Sequence, residues 1–336
     1  MRFDHLLPEA IFQTVALQGF RPTGLLFPLN SYENRVYEVG VETEETPGAV
    51  IAKYYRPGRW SAEAIAEEHR FVKTLAEAEI PVVGPLPLKK QFPAITTLAQ
   101  TDTDSGKIFY TLFPKFRGRE HAEITNDDRR WLGRTLARMH NVAEHFVSNH
   151  RLHLTPQTYG HDSLSFILTQ TFLPTDLKEL IEQHLLQALE LVAPHFGKNL
   201  KTIPLHGDCH PGNILWSQGT SLMEGPYLLD FDDMVVAPPV QDIWMLFNGS
   251  DAEKQEQQEA FFEGYEIFRE FDRATLTLAE PLRTLRMIRH AAWIGQRYEE
   301  PTFQRAFPYY TERRYWEVFL QSIKEQISLL QELAWG

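Results

Sequence analysis

The sequence predicts an α+β fold of two lobes, a small lobe built on an antiparallel sheet and a larger lobe that is mostly helical. Three observations lead to this prediction. The chain of 336 residues exceeds the usual size of a single domain. Its first third is rich in strand patterns, and from about residue 125 onward the apolar period becomes helical. We therefore expect an N-terminal lobe over residues 1–114 and a C-terminal lobe over residues 115–336.

The strand patterns of the small lobe lie on both sides of an acidic turn. Residues 33–40, ENRVYEVG, and 48–54, GAVIAKY, alternate or run with β-branched and aromatic side chains, and VETEETPG separates them. They predict an antiparallel pair. A further strand is predicted over 107–114, KIFYTLFP, where Pro114 and then Gly118 interrupt the pattern and mark the lobe boundary.

Helical patterns fill the rest of the chain. The first helix is predicted to open at Ser61, a good N-cap, and to stop before Pro81. Beyond residue 125 the helical period is interrupted by a strand-turn-strand block around residues 203–231. The aromatic cluster YYTERRYWEVF over residues 309–319 is predicted to be helix core rather than a cation-binding cage.

Composition narrows the classes of function. The 33 Lys and Arg residues against 45 Asp and Glu give a net charge of -12, which repels a phosphate backbone, so no nucleic-acid partner is expected. The N-terminus has no signal-peptide layout, and no apolar run reaches about 18 residues, so we expect no membrane partner and a cytoplasmic location. The lone Cys209 excludes an intramolecular disulfide framework and a cysteine-based zinc site. No partner-binding heptad stands out, and we expect a monomer.

A dense group of polar side chains lies in LHGDCHPGNILW, residues 205–216. His206, Asp208 and Asn213 have the spacing of a kinase catalytic loop, in which the aspartate accepts the proton of a substrate hydroxyl and the asparagine holds a metal ion. Farther along, PYLLDFDD places Asp230 and a phenylalanine after an apolar strand, as a magnesium-binding carboxylate would lie.

Two other interpretations of this loop stay open. In one, Asp208 and Asn213 cap backbone groups in an ordinary polar turn between two strands. In the other, His206, Asp208 and His210 are ligands of a zinc or iron hydrolase, although their spacing is not that of the helical His-Glu-x-x-His pair.

The kinase hypothesis predicts further residues, which the sequence supplies. Phosphoryl transfer needs magnesium across the phosphates of ATP and an aligned hydroxyl nucleophile, and little covalent help from the protein. An upstream strand should carry a lysine for the phosphates, and VIAKYY supplies Lys53. The following helix should carry a glutamate that holds this lysine, and it supplies Glu67 and Glu68.

At these residues the chain resembles the aminoglycoside phosphotransferase and choline kinase branch of the protein-kinase-like fold, whose loop has His-Gly-Asp with an asparagine five residues beyond the aspartate. More narrowly, PLNSYENRVYEV, AKYYRPGRW, EEHRFV, LHGDCHPGNILW and VQDIWML resemble the bacterial stress response kinase A family, described as cytoplasmic Ser/Thr protein kinases. The resemblance covers nearly the whole chain. It implies an ATP-dependent Ser/Thr protein kinase with ATP and Mg²⁺ as cofactors and a protein of unknown identity as acceptor.

The resemblance also implies a role for each matching residue. Glu68 is preferred to Glu67 as the partner of the phosphate-binding lysine, because apolar residues then follow it at +3, +4 and +7. The implied site consists of Asp208 as catalytic base, Asp230 as catalytic residue and magnesium ligand, Asn213 as second magnesium ligand, and Ser31, Asn34, Lys53 and Glu68 as ATP-binding residues.

The chain departs from ordinary protein kinases in two places. Residues 29–37 contain no glycine, so side chains such as Ser31 and Asn34 must replace the close backbone approach of a glycine-rich loop to phosphate. Asp242 follows Asp230 after a short interval without an Ala-Pro-Glu signature, which leaves no room for a long activation loop. Asp242 is expected to brace the backbone of the catalytic loop.

That short interval keeps a second function open, because small-molecule kinases share it. The alternative acceptor is a small hydroxyl compound such as choline, homoserine or an aminoglycoside. A nucleotide-binding module without catalysis is a further alternative, disfavoured by the intact catalytic set. Asp232 and Asp233 could bind a second metal ion, attract a cationic substrate or face solvent, and solvation is the favoured interpretation. His206 and His210 are expected to fix the loop by hydrogen bonds rather than to act as nucleophiles.

Overall fold

The computed structural model describes residues 3, 6–42, 48–103, 106–218 and 224–335. The predicted turn VETEETPG falls mainly on residues 43–47, which lie outside the described residues. The strands are β1 (Pro22–Pro28), β2 (Arg35–Val41), β3 (Gly48–Tyr54), β4 (Ala99–Thr103), β5 (Gly106–Pro114), β6 (Ile203–Leu205), β7 (Ile214–Ser217), β8 (Gly225–Leu228) and β9 (Val235–Ala237). The helices are α1 (Pro8–Leu17), α2 (Ala62–Glu77), α3 (Asn126–Ala143), α4 (Asp162–Ile167), α5 (Thr175–Val192), α6 (Asp251–Tyr265), α7 (Ala279–Arg297), α8 (Pro301–Ala306) and α9 (Arg313–Trp335).

The described residues divide into two compact units. The first unit is drawn from Met1–Arg151, Asp208–Met234 and Phe247–Glu270, and the second from Leu152–Gly207, Val235–Leu246 and Phe271–Gly336. The predicted lobe boundary after residue 114 stays a prediction.

An antiparallel sheet forms the strand-rich part of the first unit. Its strand order is β1-β2-β3-β5-β4, and Lys53 on β3 lies opposite Val36 on β2 and Thr111 on β5. The predicted antiparallel pair is confirmed as β2 and β3, and the predicted strand 107–114 is confirmed as β5, which begins one residue earlier. Apolar side chains of one sheet face are buried together, among them Val39, Val50, Ala52, Tyr54 and Leu112.

Helix α2 follows β3 and confirms the helix predicted from Ser61. The Ser61 hydroxyl accepts a hydrogen bond from the Ala64 N–H at 3.2 Å, which satisfies a donor that the first helical turn leaves unpaired. Phe71, Val72 and Leu75 are buried on the face expected from their spacing.

Helices α3 and α6 of the first unit cross at two glycines. A Cβ atom added at Gly133 would collide with the backbone carbonyl of Phe261, and one added at Gly264 with the backbone carbonyl of Arg130. The two helix backbones therefore approach more closely than residues with side chains allow.

The second unit is mainly helical, and its core combines aliphatic side chains with aromatic ones. Phe303, Tyr310 and Trp316 are fully buried, which confirms that the cluster around residues 309–319 is core. The short strands β6 and β9 pair antiparallel in this unit. Of the helices in the described part of the chain, none combines the length and apolar character that a membrane crossing requires.

Candidate active site

Lys53 is a buried cation between two carboxylates of the first unit. Its Nζ lies 2.7 Å from Asp230 Oδ1 and 3.4 Å from Asp232 Oδ1. Burial alone would lower the pKa of Lys53, but the negative charges of Asp230, Asp232 and Glu68 raise it well above its usual value. The ammonium group is therefore held in its charged form next to the segment that begins at Asp230.

Asp230 has an unusual backbone conformation. It follows β8 with φ 59° and ψ 67°, in the left-handed region that residues with a Cβ rarely adopt. A short 3₁₀ turn, Phe231–Asp233, follows directly. Backbone strain of this kind persists where surrounding contacts impose it, often at functional sites. Here it turns the carboxylate of Asp230 away from the strand direction and toward Lys53.

The loop that contains Asp208 and Asn213 is tied together by its own polar groups. The Asn213 side-chain amide donates to the backbone carbonyl of Asp208 at 2.9 Å, and the Leu229 N–H donates to the Asn213 carbonyl at 3.0 Å. His210 Nδ1 accepts a hydrogen bond from the Gly212 N–H at 3.1 Å, which confirms a loop-fixing role for this histidine. The hydrogen bonds therefore connect the Asp208 loop with the residue that precedes Asp230.

Asp242 braces the backbone just ahead of that loop, as predicted. In the second unit its buried carboxylate accepts hydrogen bonds from the His206 N–H at 2.9 Å and the Gly207 N–H at 2.8 Å. Gly207 has φ +86°, a left-handed conformation that favours glycine at this position.

The first unit contains a cavity of about 350 Å³, and Lys53, Asn213 and Asp230 are among the residues that line it. Its walls are largely apolar, with Val36, Ile51, Phe113 and Leu215 among the lining side chains. The polar residues of the lining include Ser31, Lys53, Asn213 and Asp230, together with Asn30, Glu38 and Lys115. A mostly apolar pocket of this size with a few convergent polar groups is typical of a small-molecule or cofactor site.

Asp232 is buried, and the expectation that it faces solvent is wrong. Its carboxylate forms ion pairs with Arg59 and Lys53, and Asn34 contributes a hydrogen bond. Although burial raises the pKa of Asp232, the positive charges of Arg59, Lys53 and Arg151 lower it below its usual value. Asp233 also pairs with Arg59, but its side chain is half-exposed.

The neighbouring glutamates of α2, Glu67 and Glu68, contact different residues. Glu67 accepts hydrogen bonds from the Ser148 hydroxyl and from the N–H groups of Asn149 and His150. Glu68 Oε2 lies 3.7 Å from Arg151 Nη1, and the ion pairs of Lys53 are made with aspartates instead. Burial raises the pKa of Glu68 to about 7, although Lys53 and Arg151 oppose the shift.

Comparison with known proteins decides the family. The sequence profile described as Phosphotransferase enzyme family matches residues 26–278 of the chain. The chain belongs to this phosphotransferase enzyme family.

Curated relatives match this phosphotransferase over nearly all of its length. Stress response kinase A of Escherichia coli (strain K12) is 35% identical over 330 residues, which are 98% of this chain and 95% of that protein. The protein named serine/threonine protein kinase RdoA in Salmonella typhimurium (strain LT2) is 34% identical over 330 residues, with the same two coverages. The resemblance to stress response kinase A is confirmed, and this phosphotransferase is an ATP-dependent kinase.

Solved structures of other kinases have the same fold. Amicoumacin kinase hAmiN, in complex with AMP-PNP, Ca²⁺ and Ami, superposes with a TM-score of 0.73 and 20% identity, covering 95% of this chain and 92% of that chain. At this identity the similarity shows the fold. Together with the family match, it confirms the predicted α+β, two-lobed, protein-kinase-like class.

The zinc hydrolase alternative lacks a ligand cluster. Across the residues that the structure describes, no group of three or more His, Cys, Asp or Glu side chains is arranged to hold a metal ion. A catalytic zinc site needs three such protein ligands, which His206, Asp208 and His210 were to supply.

The structure brings some of the predicted residues together and places others elsewhere. Ser31, Lys53, Asn213 and Asp230 line the cavity, and Asp208 is joined to Asn213 by a hydrogen bond. Asn34 is buried and accepts a hydrogen bond from the Arg56 N–H at 3.1 Å, away from the cavity lining. Glu68 is also outside that lining.

Two buried arginines of this phosphotransferase were missed by sequence reasoning. Arg59 pairs with Asp232 and Asp233, and Arg151 donates to the backbone carbonyls of Asp232 and Met234. For Arg59, the signal available in the sequence was its place in AKYYRPGRW, one of the segments that carry the family resemblance. No local pattern marks Arg151.

Proposed function

We propose that this kinase transfers the γ-phosphate of Mg-ATP to a serine or threonine hydroxyl of a protein. The observation that carries the transfer chemistry is that Lys53, Asn213 and Asp230 line one cavity with largely apolar walls, where Lys53 is paired with Asp230. The protein acceptor is supported by relatives named as Ser/Thr or stress response kinases, which match 98% of the chain.

The cavity suits a nucleotide in this role. Its apolar walls at Val36, Ile51 and Phe113 fit the faces of an aromatic base. The buried ammonium of Lys53 supplies a fixed positive charge for phosphate oxygens, and the Ser31 hydroxyl is a further polar group in the lining. These groups would orient the triphosphate.

Asn213 and Asp230 fit a magnesium ion. The Asn213 Nδ2 is occupied by its hydrogen bond to Asp208, which leaves the amide oxygen as the ligand atom. The side chain of Asp230 is half-exposed and lines the cavity. Magnesium prefers oxygen ligands and is commonly held by one or two protein groups together with substrate phosphates. When bound, the ion neutralises charge that develops on the transferred phosphoryl group.

Asp208 is the base in this proposal. Its backbone carbonyl is bound by Asn213, and Asp242 fixes the two residues ahead of it, so the carboxylate is carried on a braced loop. From that loop it would orient the acceptor hydroxyl and accept its proton as the hydroxyl oxygen bonds to the γ-phosphorus. The bond from this phosphorus to the bridging oxygen of the β-phosphate breaks, and ADP leaves.

A small-molecule acceptor is the second candidate function. It is favoured by the short interval between Asp230 and Asp242, which contains β9 and short 3₁₀ turns. It is also favoured by the fold shared with amicoumacin kinase hAmiN. The acceptor in this case is a hydroxyl compound of the choline, homoserine or aminoglycoside type. The cytoplasmic location, the monomeric state and the absence of a nucleic-acid partner stay predictions.

The test is transfer of labelled γ-phosphate from Mg-ATP to three kinds of acceptor: a generic basic protein, the kinase itself and a panel of hydroxyl metabolites. Asp208→Ala should lower transfer by about 10²–10⁴-fold, the usual contribution of a general base. Asp127→Ala, which removes an exposed carboxylate on α3, is the control and should leave transfer unchanged.

The acceptor that becomes labelled decides between the candidates. Asp208-dependent label on serine or threonine supports the protein kinase. Label confined to one metabolite transfers the assignment to the small-molecule candidate. Transfer that survives Asp208→Ala contradicts the proposed role of this residue.

A further inference from the structure

Two carboxylates lie within ion-pair distance of Lys53, and they differ in exposure. The Asp230 side chain is 51% exposed and lines the cavity, whereas the Asp232 side chain is 4% exposed and lies outside the lining. A carboxylate open to the cavity can leave Lys53 to bind a metal ion. A carboxylate that is enclosed by protein cannot leave in this way. Asp232 therefore stays beside Lys53 whether Asp230 binds Lys53 or a metal ion.

Asp232 is fixed in its place by cations on separate sides. Its Oδ1 faces Lys53 and its Oδ2 is bound by Arg59, so each oxygen has its own positive partner. Its backbone carbonyl is bound by the buried guanidinium of Arg151. The hydrogen bonds from Arg59 and Arg151 allow this buried residue little rotation, while the Lys53 ammonium lies at an ion-pair distance of 3.4 Å.

Among the described residues, the helix glutamate makes no ion pair with Lys53. Glu68 has Arg151 as its nearby cation, and the Arg151 side chain also lies 4.0 Å from the ring centroid of Trp60. The raised pKa of Glu68 further weakens it as a permanent anion near neutral pH. In an ordinary protein kinase the lysine of this strand pairs with the helix glutamate. Here the ion pairs of Lys53 are made with Asp230 and Asp232, and the charge of Glu68 acts on Lys53 from beyond ion-pair distance.

We propose that Asp232, rather than Glu68, is the permanent anionic partner that positions Lys53, and that Arg59 holds Asp232 for this purpose. Asp232 occupies the position of the glycine in the Asp-Phe-Gly element. It is a positioning residue, since it acts through Lys53 and lies outside the cavity lining. This inference rests on the proposed phosphate-binding role of Lys53.

The test measures binding of Mg-AMP-PNP by calorimetry, so that no acceptor is needed. Asp232→Asn removes the charge with little change in shape, and Asp233→Asn is its matched control. Asp233 also pairs with Arg59, but Lys53 lies beside Asp232. Asp232→Asn should weaken binding by about tenfold or more, a typical coupling for a buried charge pair, whereas Asp233→Asn should weaken it by less than about threefold.

A double-mutant cycle separates positioning from general damage. In a Lys53→Met background, Asp232→Asn should cause little further loss of Mg-AMP-PNP binding, because the group that it positions is gone. The same cycle is measured on thermal unfolding of the nucleotide-free protein. The losses of Mg-AMP-PNP binding caused by Lys53→Met and by Glu68→Gln should instead combine in the double variant to within about twofold of their product.

The outcomes distinguish this inference from the proposed function. If Lys53→Met leaves Mg-AMP-PNP binding unchanged, the proposed role of Lys53 fails. If Lys53→Met weakens binding while Asp232→Asn matches its Asp233→Asn control, the inference fails alone. Should Asp232→Asn not fold, the cycle between Lys53 and Glu68 decides: additivity supports the inference, and strong coupling overturns it.

Discussion

The two compact units of this kinase place their charges differently. The first unit buries Lys53, Glu68 and Arg151 beside one another. In the second unit, the ion pair between Asp176 and Arg313 has side chains that are 63% and 54% exposed, and the buried carboxylate of Asp242 accepts hydrogen bonds from backbone N–H groups. Apolar packing stabilises a fold more reliably than a buried ion pair of the same volume. The comparison teaches that each buried charge of the first unit depends on its charged partners far more than an exposed ion pair does.

Removing a buried cation should have the largest effect on stability. Arg151→Met leaves the buried carbonyls of Asp232 and Met234 without their donor and Glu68 without its nearby cation. We expect a loss of about 3–5 kcal/mol in the free energy of unfolding, the usual cost of breaking a buried charge pair. Chemical denaturation at neutral pH measures it.

The control for that variant is the same substitution at an exposed arginine of the same unit. Arg70 lies over the ring of Phe146 at 4.7 Å, with more than half of its side chain exposed. Arg70→Met should shift the denaturation midpoint far less than Arg151→Met. Equal shifts of the midpoint would show that the buried Arg151 contributes no more to stability than the exposed Arg70.

A smaller effect is expected from the titration of Glu68. Its pKa is raised from 4.5 to about 7, so between these values the folded protein binds a proton that the unfolded chain has released. This group therefore lowers the free energy of unfolding as the pH rises through that window. Glutamine cannot titrate, so the stability of the wild type relative to Glu68→Gln should fall from pH 4.5 to about 7.

Denaturation curves of both proteins across this range give that difference directly. Other buried groups, such as His69 with its pKa lowered to about 3 by burial, are present in both proteins and cancel. A difference that stays flat across the window would show that Glu68 is charged throughout, and would restore it as a fixed partner for Lys53.

The smallest effect is expected at the surface of the second unit. Arg313→Ala removes an exposed ion pair with Asp176 and a helical contact with Glu317. Exposed pairs contribute little because water and salt screen them. The denaturation midpoint should change within experimental error, and a shift approaching that of Arg151→Met would remove the contrast between the units.

Elements of the fold could be predicted from the sequence where a single local pattern, such as apolar alternation or a helix cap, was clear. Alternating apolar residues gave β2, β3 and β5, and the Ser61 cap with its apolar stripe gave α2. Strand β1 was missed because proline stands at both ends and Gly24 has a left-handed φ of +87°, with a register shift in between. Strand β4, AQTDT, is too polar to show a pattern.

The site residues could be predicted where they lie close to one another along the sequence. The intervals among Asp208, Asn213 and Asp230 identified two residues that line the cavity, Asn213 and Asp230, and a third, Asp208, whose carbonyl is hydrogen-bonded to Asn213. The network behind them depends on long-range pairs, such as Arg59 with Asp232 across 173 positions in the chain. The solvated state expected for Asp232 was wrong because that expectation assumes no distant cation.

The crossing of α3 and α6 at Gly133 and Gly264 offers a genetic tool. A methyl group at either position meets backbone, which cannot rotate aside. Gly133→Ala or Gly264→Ala should therefore produce a heat-sensitive allele, active in cells grown cool and lost on warming. Because every catalytic candidate is left intact, such a strain would allow the kinase to be switched off during growth, and its phosphorylated targets to be found by their decay.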